Sequence, residues 1–189
     1  MEAYKLLDFL SNYYHLEILQ IRKYINWICS NFISSNKTYC MSLVKSELFS
    51  MIMASIKKEK SSKVMEEILY LIMNILSYND SEISLTFLNY DLLQNLIDVY
   101  NSNAENWNTL LHIFILNVFK SIFGTENKYK LKEEKNQNFD DNNVNFIEYF
   151  LRQGCLEFLS NLRTKHDVRI DACINDIENE INIRFNYIK

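Results

Sequence analysis

The sequence predicts an all-α fold built from a repeated helical unit. Three asparagines recur in apolar helical settings, each 43 residues after the last: Asn31, Asn74 and Asn117. The residues four positions ahead of them keep the same spacing: Trp27, Tyr70 and Ile113. The chain has no proline and only two glycines, whereas a β-rich fold of this size needs more of both at its turns. A polar amide repeated with a fixed long period is typical of stacked helical repeats.

The length of this period indicates the kind of array. Periods of about 40–47 residues are found in armadillo and HEAT arrays. We therefore predict a right-handed α-solenoid of about four armadillo-type units in one domain, with a long concave surface for a partner. A polar and charged run at residues 127–142 breaks the period, and we expect it to be a flexible insertion. The expected units cover residues of about 1–35, 36–77, 78–126 and 143–189.

Apolar residues spaced three and four apart predict the helices of the first two units. We expect Ser62 to cap the last of these helices, because its hydroxyl can accept a hydrogen bond from a first-turn N–H group. The charged run at residues 57–62 is expected to be a solvated loop. The predicted helices lie at residues 4–13, 16–33, 38–44, 47–56 and 63–76.

The third and fourth units repeat this order of helices, and each contains one glycine. Gly124 is expected to end the long helix of the third unit, because glycine adopts positive φ without steric cost. Gly154 is expected to form a bend within the fourth unit. The last helix carries a predicted buried stripe of Ile170, Ile174, Ile177 and Ile181. The predicted helices lie at residues 81–88, 91–100, 104–123, 145–153, 156–162 and 166–187.

Composition and charge disfavour several classes of partner. The net charge of −4 and the pI near 5.5 argue against nucleic acid, which binds basic surfaces. No stretch approaches the roughly 20 apolar residues of a membrane span, and no apolar run typical of a signal peptide is visible near the start. The four cysteines lack the close spacing of a zinc or redox site, so we expect free buried thiols in a reducing compartment: Cys29, Cys40, Cys155 and Cys173.

Catalytic and metal-binding patterns are not found in the sequence. The three histidines lie in different units, without a metal-binding spacing. Two isolated glycines cannot form a phosphate-binding loop, and the paired acids at 66–67, 133–134 and 140–141 lie in segments expected to be exposed. We therefore predict a protein that is not an enzyme and that uses no metal or cofactor.

Two segments resemble a known family of helical-repeat proteins. Residues 21–31, with the sequence Ile-Arg-Lys-Tyr-Ile-Asn-Trp-Ile-Cys-Ser-Asn, resemble the third helix of an importin-α armadillo repeat, in which a Trp-x-x-x-Asn pair recurs. Residues 150–162, Phe-Leu-Arg-Gln-Gly-Cys-Leu-Glu-Phe-Leu-Ser-Asn-Leu, resemble the final repeat of that family. Taken in order, the four units look like its seventh to tenth repeats.

The resemblance implies a non-catalytic adaptor that binds an extended basic peptide, of the nuclear-localisation type, and that works in the nucleus and cytoplasm. In that family the indole rings hold the aliphatic stems of Lys or Arg, the amides pair with the peptide backbone, and acidic side chains receive the cationic tips. Trp27 and Asn31 form an intact pair in this chain, whereas Tyr70 with Asn74 forms a partial one. Glu67 matches the acidic position, and only Asn117 is kept in the third unit.

The same residues allow simpler interpretations. A buried asparagine can bridge neighbouring helices without any ligand, Trp27 can be a core aromatic residue, and Glu67 can be a solvated helix residue. The alternative function is a structural subunit of a larger assembly, in which the groove is vestigial. In either case we expect the open N-terminal end, around residues 4–14, to pack on a partner or on another copy of the chain.

Overall fold

The computed structural model describes residues 2–34, 36–103, 105–133 and 150–187, which form helices joined by short turns and contain no strand. The all-α prediction is confirmed for them. Residues 150–152 form a further helical turn. The helices are α1 (Glu2–Tyr14), α2 (Leu19–Ser34), α3 (Lys37–Val44), α4 (Glu47–Ile56), α5 (Ser62–Leu76), α6 (Ser81–Asn89), α7 (Leu92–Asn103), α8 (Thr109–Glu133), α9 (Cys155–Arg163) and α10 (Val168–Tyr187).

The helices pack on one another in three rows. The long helices form the first row, in which α2 packs on α5, α5 on α8 and α8 on α10. The second row runs α1, α4, α7 and α9, and the third pairs α3 with α6. A single continuous core lies between these rows. Its members include the predicted isoleucine stripe of α10, in which Ile170, Ile174, Ile177 and Ile181 are all buried.

Side-chain caps fix where several helices begin. Asn36, Ser46 and Asp80 adopt extended backbone angles, and the side chain of each accepts hydrogen bonds from N–H groups in the first turn that follows. The cap of α5 is Ser61, whose Oγ accepts from the Val64 N–H at 3.4 Å. The prediction of Ser62 was therefore wrong by one residue, because Ser61 holds the extended conformation and Ser62 is the first helical residue.

Most bounds agree with the expected ones to within one to three residues, and the starts of α2 and α8 are the clearest differences. Helix α2 begins at Leu19, three residues later than predicted, because Glu17 has a φ of 55° and interrupts the helical path. Helix α8 begins at Thr109, after Asn108 accepts a hydrogen bond from the Leu111 N–H at 3.0 Å.

The prediction that Gly124 ends α8 was wrong, since this helix continues to Glu133. A single glycine costs a helix only about 1 kcal/mol, and the helix-forming residues on both sides outweigh that penalty. Residues 127–133 of the expected insertion therefore belong to α8. Residues 134–142, and residues 145–149 of the next predicted helix, lie outside the described residues.

Gly154 lies at the predicted bend and precedes α9. Its φ of 71° is in the left-handed region, which glycine adopts freely.

The charged run at residues 57–62 does not form a fully solvated loop. Glu59 lies within it and is only 2% exposed, because its carboxylate pairs with the Arg22 guanidinium of α2 at 3.1 Å. The sequence does not reveal this pair, since its members are far apart along the chain.

Among the described residues, no single helix has both the length and the apolar character needed to cross a bilayer. The bent pair of α3 and α4, with 69° between its helices, passes that test by length and composition alone.

Candidate binding surface

Helix α2 exposes a row of polar and aromatic side chains on one side. Gln20, Tyr24, Trp27 and Asn31 follow one another at spacings of three and four, so they share a helix face. Trp27 is 53% exposed and Tyr24 is 54% exposed. The interpretation of Trp27 as a core aromatic residue is therefore wrong, whereas Trp107 is buried at 6%.

The Trp27–Asn31 pair is joined through the backbone of α2. The Asn31 Nδ2 atom donates a hydrogen bond to the Trp27 carbonyl oxygen at 2.8 Å. The Asn31 carbonyl in turn accepts from the Ser34 hydroxyl at 2.8 Å. The Asn31 side chain is exposed, but one of its amide protons is already used within the protein.

Helix α5 presents its predicted site residues beside those of α2. The Asn74 Nδ2 atom donates to the Ser30 hydroxyl of α2 at 2.7 Å, so Asn74 bridges the two helices. Tyr70 lies one turn earlier and is 44% exposed. One edge of its ring packs against Phe114 of α8, with 4.5 Å between ring centroids. The bridging role that the sequence offered as the simpler interpretation is thus observed for Asn74.

Glu67 lies one turn before Tyr70 and is half-buried. Burial raises the pKa of its carboxyl group, Lys23 of α2 acts in the opposite direction, and neighbouring Glu66 adds to the increase. Glu66 also accepts a hydrogen bond from the Asn108 Nδ2 atom at 3.2 Å. The acidic character of this part of the surface is therefore partly balanced by Lys23.

The third member of the asparagine series lies on the next helix of the row. Asn117 and Ile113 of α8 are both half-buried, and Ile113 offers no ring. Further along α8, Lys120 pairs with Asp176 of α10 at 2.5 Å.

The structure thus brings five of the six predicted site residues onto the adjoining helices α2 and α5, with Asn117 on α8. We define the α2–α5 surface as Tyr24, Trp27, Asn31, Glu67, Tyr70 and Asn74. The sequence interpretation missed Tyr24 as an exposed ring. Its position one turn before Trp27 on the same face was the available signal.

Other candidate functional groups in the described ranges lie apart from this surface. No group of three or more His, Cys, Asp or Glu side chains there could hold a metal ion. His112 is buried, and burial lowers its pKa. A polar pocket between α7 and α9 is lined by Gln94, Asp98, Gln153, Glu157 and others, none of which is a predicted site residue.

Comparison of the chain with protein-family models, curated proteins and solved structures found no significant match. The resemblance to importin-α is therefore still a prediction from residues 21–31 and 150–162.

Proposed function

We propose that this protein is an armadillo-type α-solenoid and a non-catalytic protein-binding module. Two independent features support the repeat. The asparagines recur every 43 residues in the sequence, and the long helices that carry them are consecutive members of one row. Stacked three-helix units produce such rows, and they leave one face of the long helices open to a partner.

The ligand that best fits the α2–α5 surface is an extended peptide with basic side chains. The exposure of Trp27 is the observation that carries this proposal, because a large aromatic residue at 53% exposure leaves about half of its surface accessible to a ligand. Tyr24 and Tyr70 add two partly exposed aromatic residues. A ring face attracts Lys or Arg by about 0.5–1 kcal/mol at such sites, and the Glu67 carboxylate offers a charge partner. This adaptor role would place the protein in the nucleus and cytoplasm.

A peptide titration at two salt concentrations tests the proposal. A labelled peptide with four Lys or Arg residues is expected to bind, and to bind more weakly at high salt because charge attraction is screened. A version with Glu in place of the basic residues is expected not to bind.

Replacing Trp27 and Asn31 together by alanine is expected to abolish peptide binding. Leu156→Ala is the matched control, because Leu156 is 49% exposed but lies on α9, away from the α2–α5 surface. Unchanged affinity in the double variant rejects this surface as the binding site.

A structural subunit of a larger assembly is the second candidate, and one observation favours it. The Asn31 and Asn74 side-chain amides already donate hydrogen bonds within the protein. One N–H group of each amide is therefore not available to a peptide backbone. Under this alternative the basic peptide does not bind at either salt concentration, and Asn74→Ala destabilises the α2–α5 contact by about 1 kcal/mol.

A further inference from the structure

A buried aromatic cluster joins helices α7, α8 and α9. Tyr100 of α7 lies at its centre. The centroid of its ring is 5.3 Å from that of His112 on α8, 4.9 Å from that of Phe158 on α9 and 6.4 Å from that of Trp107, which precedes α8. None of these residues is more than 6% exposed. We define the aromatic cluster as Tyr100, Trp107, His112 and Phe158.

His112 is a polar member of this cluster without a polar partner. Neither of its ring nitrogens has a hydrogen-bond partner among the described residues, and the same holds for the Trp107 indole N–H group. A buried polar group in this condition lowers stability even when it is neutral. A charged imidazole costs much more, because it is removed from water and both of its N–H groups need acceptors.

The 43-residue repeat indicates that packing alone does not require a histidine at this position. His112 corresponds to Leu69 of α5, which is completely buried. Leucine fills the equivalent place without any polar atom. Positions that depart from the usual apolar core are where functional residues are expected. What histidine adds, and leucine lacks, is a charge that changes between about pH 5 and 8.

Three titratable groups face His112 in the described part of the chain. Tyr100 comes from α7, and Lys165 and Asp167 come from the connection between α9 and α10. Burial lowers the pKa of His112 most, Lys165 lowers it further, and Asp167 acts in the opposite direction. Asp167 is already paired with the Arg169 guanidinium at 2.9 Å. Burial raises the pKa of Tyr100, so this phenol stays neutral beside the ring.

Charged side chains on the other helices that pack against α8 are bonded to different groups. These contacts join Glu66 of α5 to Asn108, Glu82 of α6 to Lys45, and Asp176 of α10 to Lys120.

We propose that His112 makes the contact of α8 with α7 and α9 sensitive to pH. While its ring is neutral, the aromatic cluster stays closed. Uptake of one proton from solvent places an unpaired charge in the cluster and favours an open state, in which the imidazolium reaches water. The same proton returns to solvent when the cluster closes. This inference does not depend on the proposed peptide site.

The direction of the pH effect follows from the burial of the ring. The pKa of His112 in the closed state lies below the value of about 6.5 for a solvated histidine. The stabilisation is therefore fully present above about pH 6.5, and it is lost as the pH falls from there through the closed-state pKa. Because opening takes up one proton in that range, the opening constant rises by up to about tenfold for each pH unit.

Trp107 is a built-in probe of the cluster. The chain has two tryptophans, so Trp27→Phe leaves Trp107 as the single emitter. Its fluorescence is expected to shift to the red between about pH 7.5 and about pH 5.5. Amide hydrogen exchange in α9 is expected to accelerate over the same range, once corrected for the intrinsic effect of pH.

His112→Leu places the residue of the equivalent α5 position in the cluster. This variant is expected to lose the red shift and the acid-induced acceleration of exchange, while keeping the wild-type circular dichroism. His15→Gln is the matched control, because His15 is exposed at the end of α1 and far from the cluster, and it is expected to respond to acid like the wild type. An equal acid response in the wild type and in His112→Leu overturns the proposal.

A titration of the wild-type protein followed by NMR needs no variant. The His112 ring is expected to take up its proton only below about pH 6.5, together with the changes in exchange. Protonation of His112 near pH 6.5 without any change in exchange overturns the proposal. Peptide affinity at neutral pH is expected to be the same for His112→Leu and the wild type, so failure of the peptide site and failure of the switch are separate results.

Discussion

The Arg22 guanidinium and the Glu59 carboxylate form a buried ion pair, with 3.1 Å between Nη1 and Oε2. Arg22 lies on α2, whereas Glu59 lies in the short connection between α4 and α5. The Glu59 Oε1 atom also accepts a hydrogen bond from the Ser61 N–H at 2.8 Å. One carboxylate therefore shapes the start of α5 and ties it to the neighbouring long helix.

Removing one partner of this pair should destabilise the fold strongly. Glu59→Gln retains an oxygen for the Ser61 N–H but leaves the Arg22 charge unpaired, and it is expected to lower the free energy of unfolding by about 3 kcal/mol. The double variant Arg22→Met/Glu59→Met is expected to lose less than the single variant, because no charge is left buried. Urea unfolding followed by circular dichroism measures both.

The surface pair Lys45–Glu82 is the control. Its side chains are 61% and 66% exposed, so Glu82→Gln is expected to change stability by about 1 kcal/mol or less. A similar loss in Glu59→Gln and Glu82→Gln would contradict the structural role of the buried pair.

Asp80 should make part of the stability depend on pH. The hydrogen bond from Lys37 lowers the pKa of Asp80, and the capped N–H groups of Ile83 and Glu82 act in the same direction, while burial acts against them. The folded-state pKa thus lies below the unfolded value of about 3.9. The stabilisation is fully present above the unfolded pKa and is lost as the pH falls through the folded pKa.

We therefore expect Asp80→Ala to be less stable than the wild type by about 1 kcal/mol at neutral pH, with a difference that shrinks on acidification below about pH 4. Ser46→Ala removes an uncharged cap from α4 and serves as the control, because its loss should not change with pH in this range. Thermal unfolding at several pH values measures both. An Asp80→Ala deficit that grows towards acid would be inconsistent with this account.

The cysteines should differ in reactivity. Burial raises the pKa of Cys29 to about 12 and that of Cys40 to about 11, and Cys155 is shifted upward for the same reason. Cys173 is partly exposed; burial raises its pKa as well, but Lys120 acts in the opposite direction. Because the thiolate is the reactive form and must be accessible, alkylation of the folded protein is expected to label Cys173 at least about tenfold faster than Cys29.

Mass spectrometry of timed iodoacetamide reactions measures these rates. The three buried thiols are expected to react together with Cys173 once the protein is unfolded in urea. Labelling of Cys29 in the folded protein at the rate of Cys173 would show that α2 is not packed as described.

Local physics explains why most helices could be predicted from sequence. Helix α4 lies at the predicted residues because its apolar spacing and the Ser46 cap point to the same start. The end of α8 could not be predicted, since the effect of Gly124 depends on whether the residues beyond it continue the helix. Glu59 was misjudged because its partner, Arg22, is brought close only by the packing of α2 on α5.

The candidate surface could likewise be predicted from the sequence only in part. Glu67, Tyr70 and Asn74 share a side of α5 because spacings of three and four always do so. The sequence could not show that Asn74 binds Ser30, because that bond depends on the separation between two helices. Exposure of Trp27 likewise follows from how far α2 is covered by its neighbours.

The two ends of the helix rows differ in chemistry, and this difference determines at which end further repeat units could be added by design. Engineered units joined ahead of α1 would lie next to partly buried apolar side chains, among them Leu6, Ile21 and Ile28. Units joined after α10 would meet a polar side of that helix, on which Asp171, Asn175, Glu178 and Asn182 are spaced three and four apart. Attempts to lengthen the protein by design should therefore extend it from its beginning.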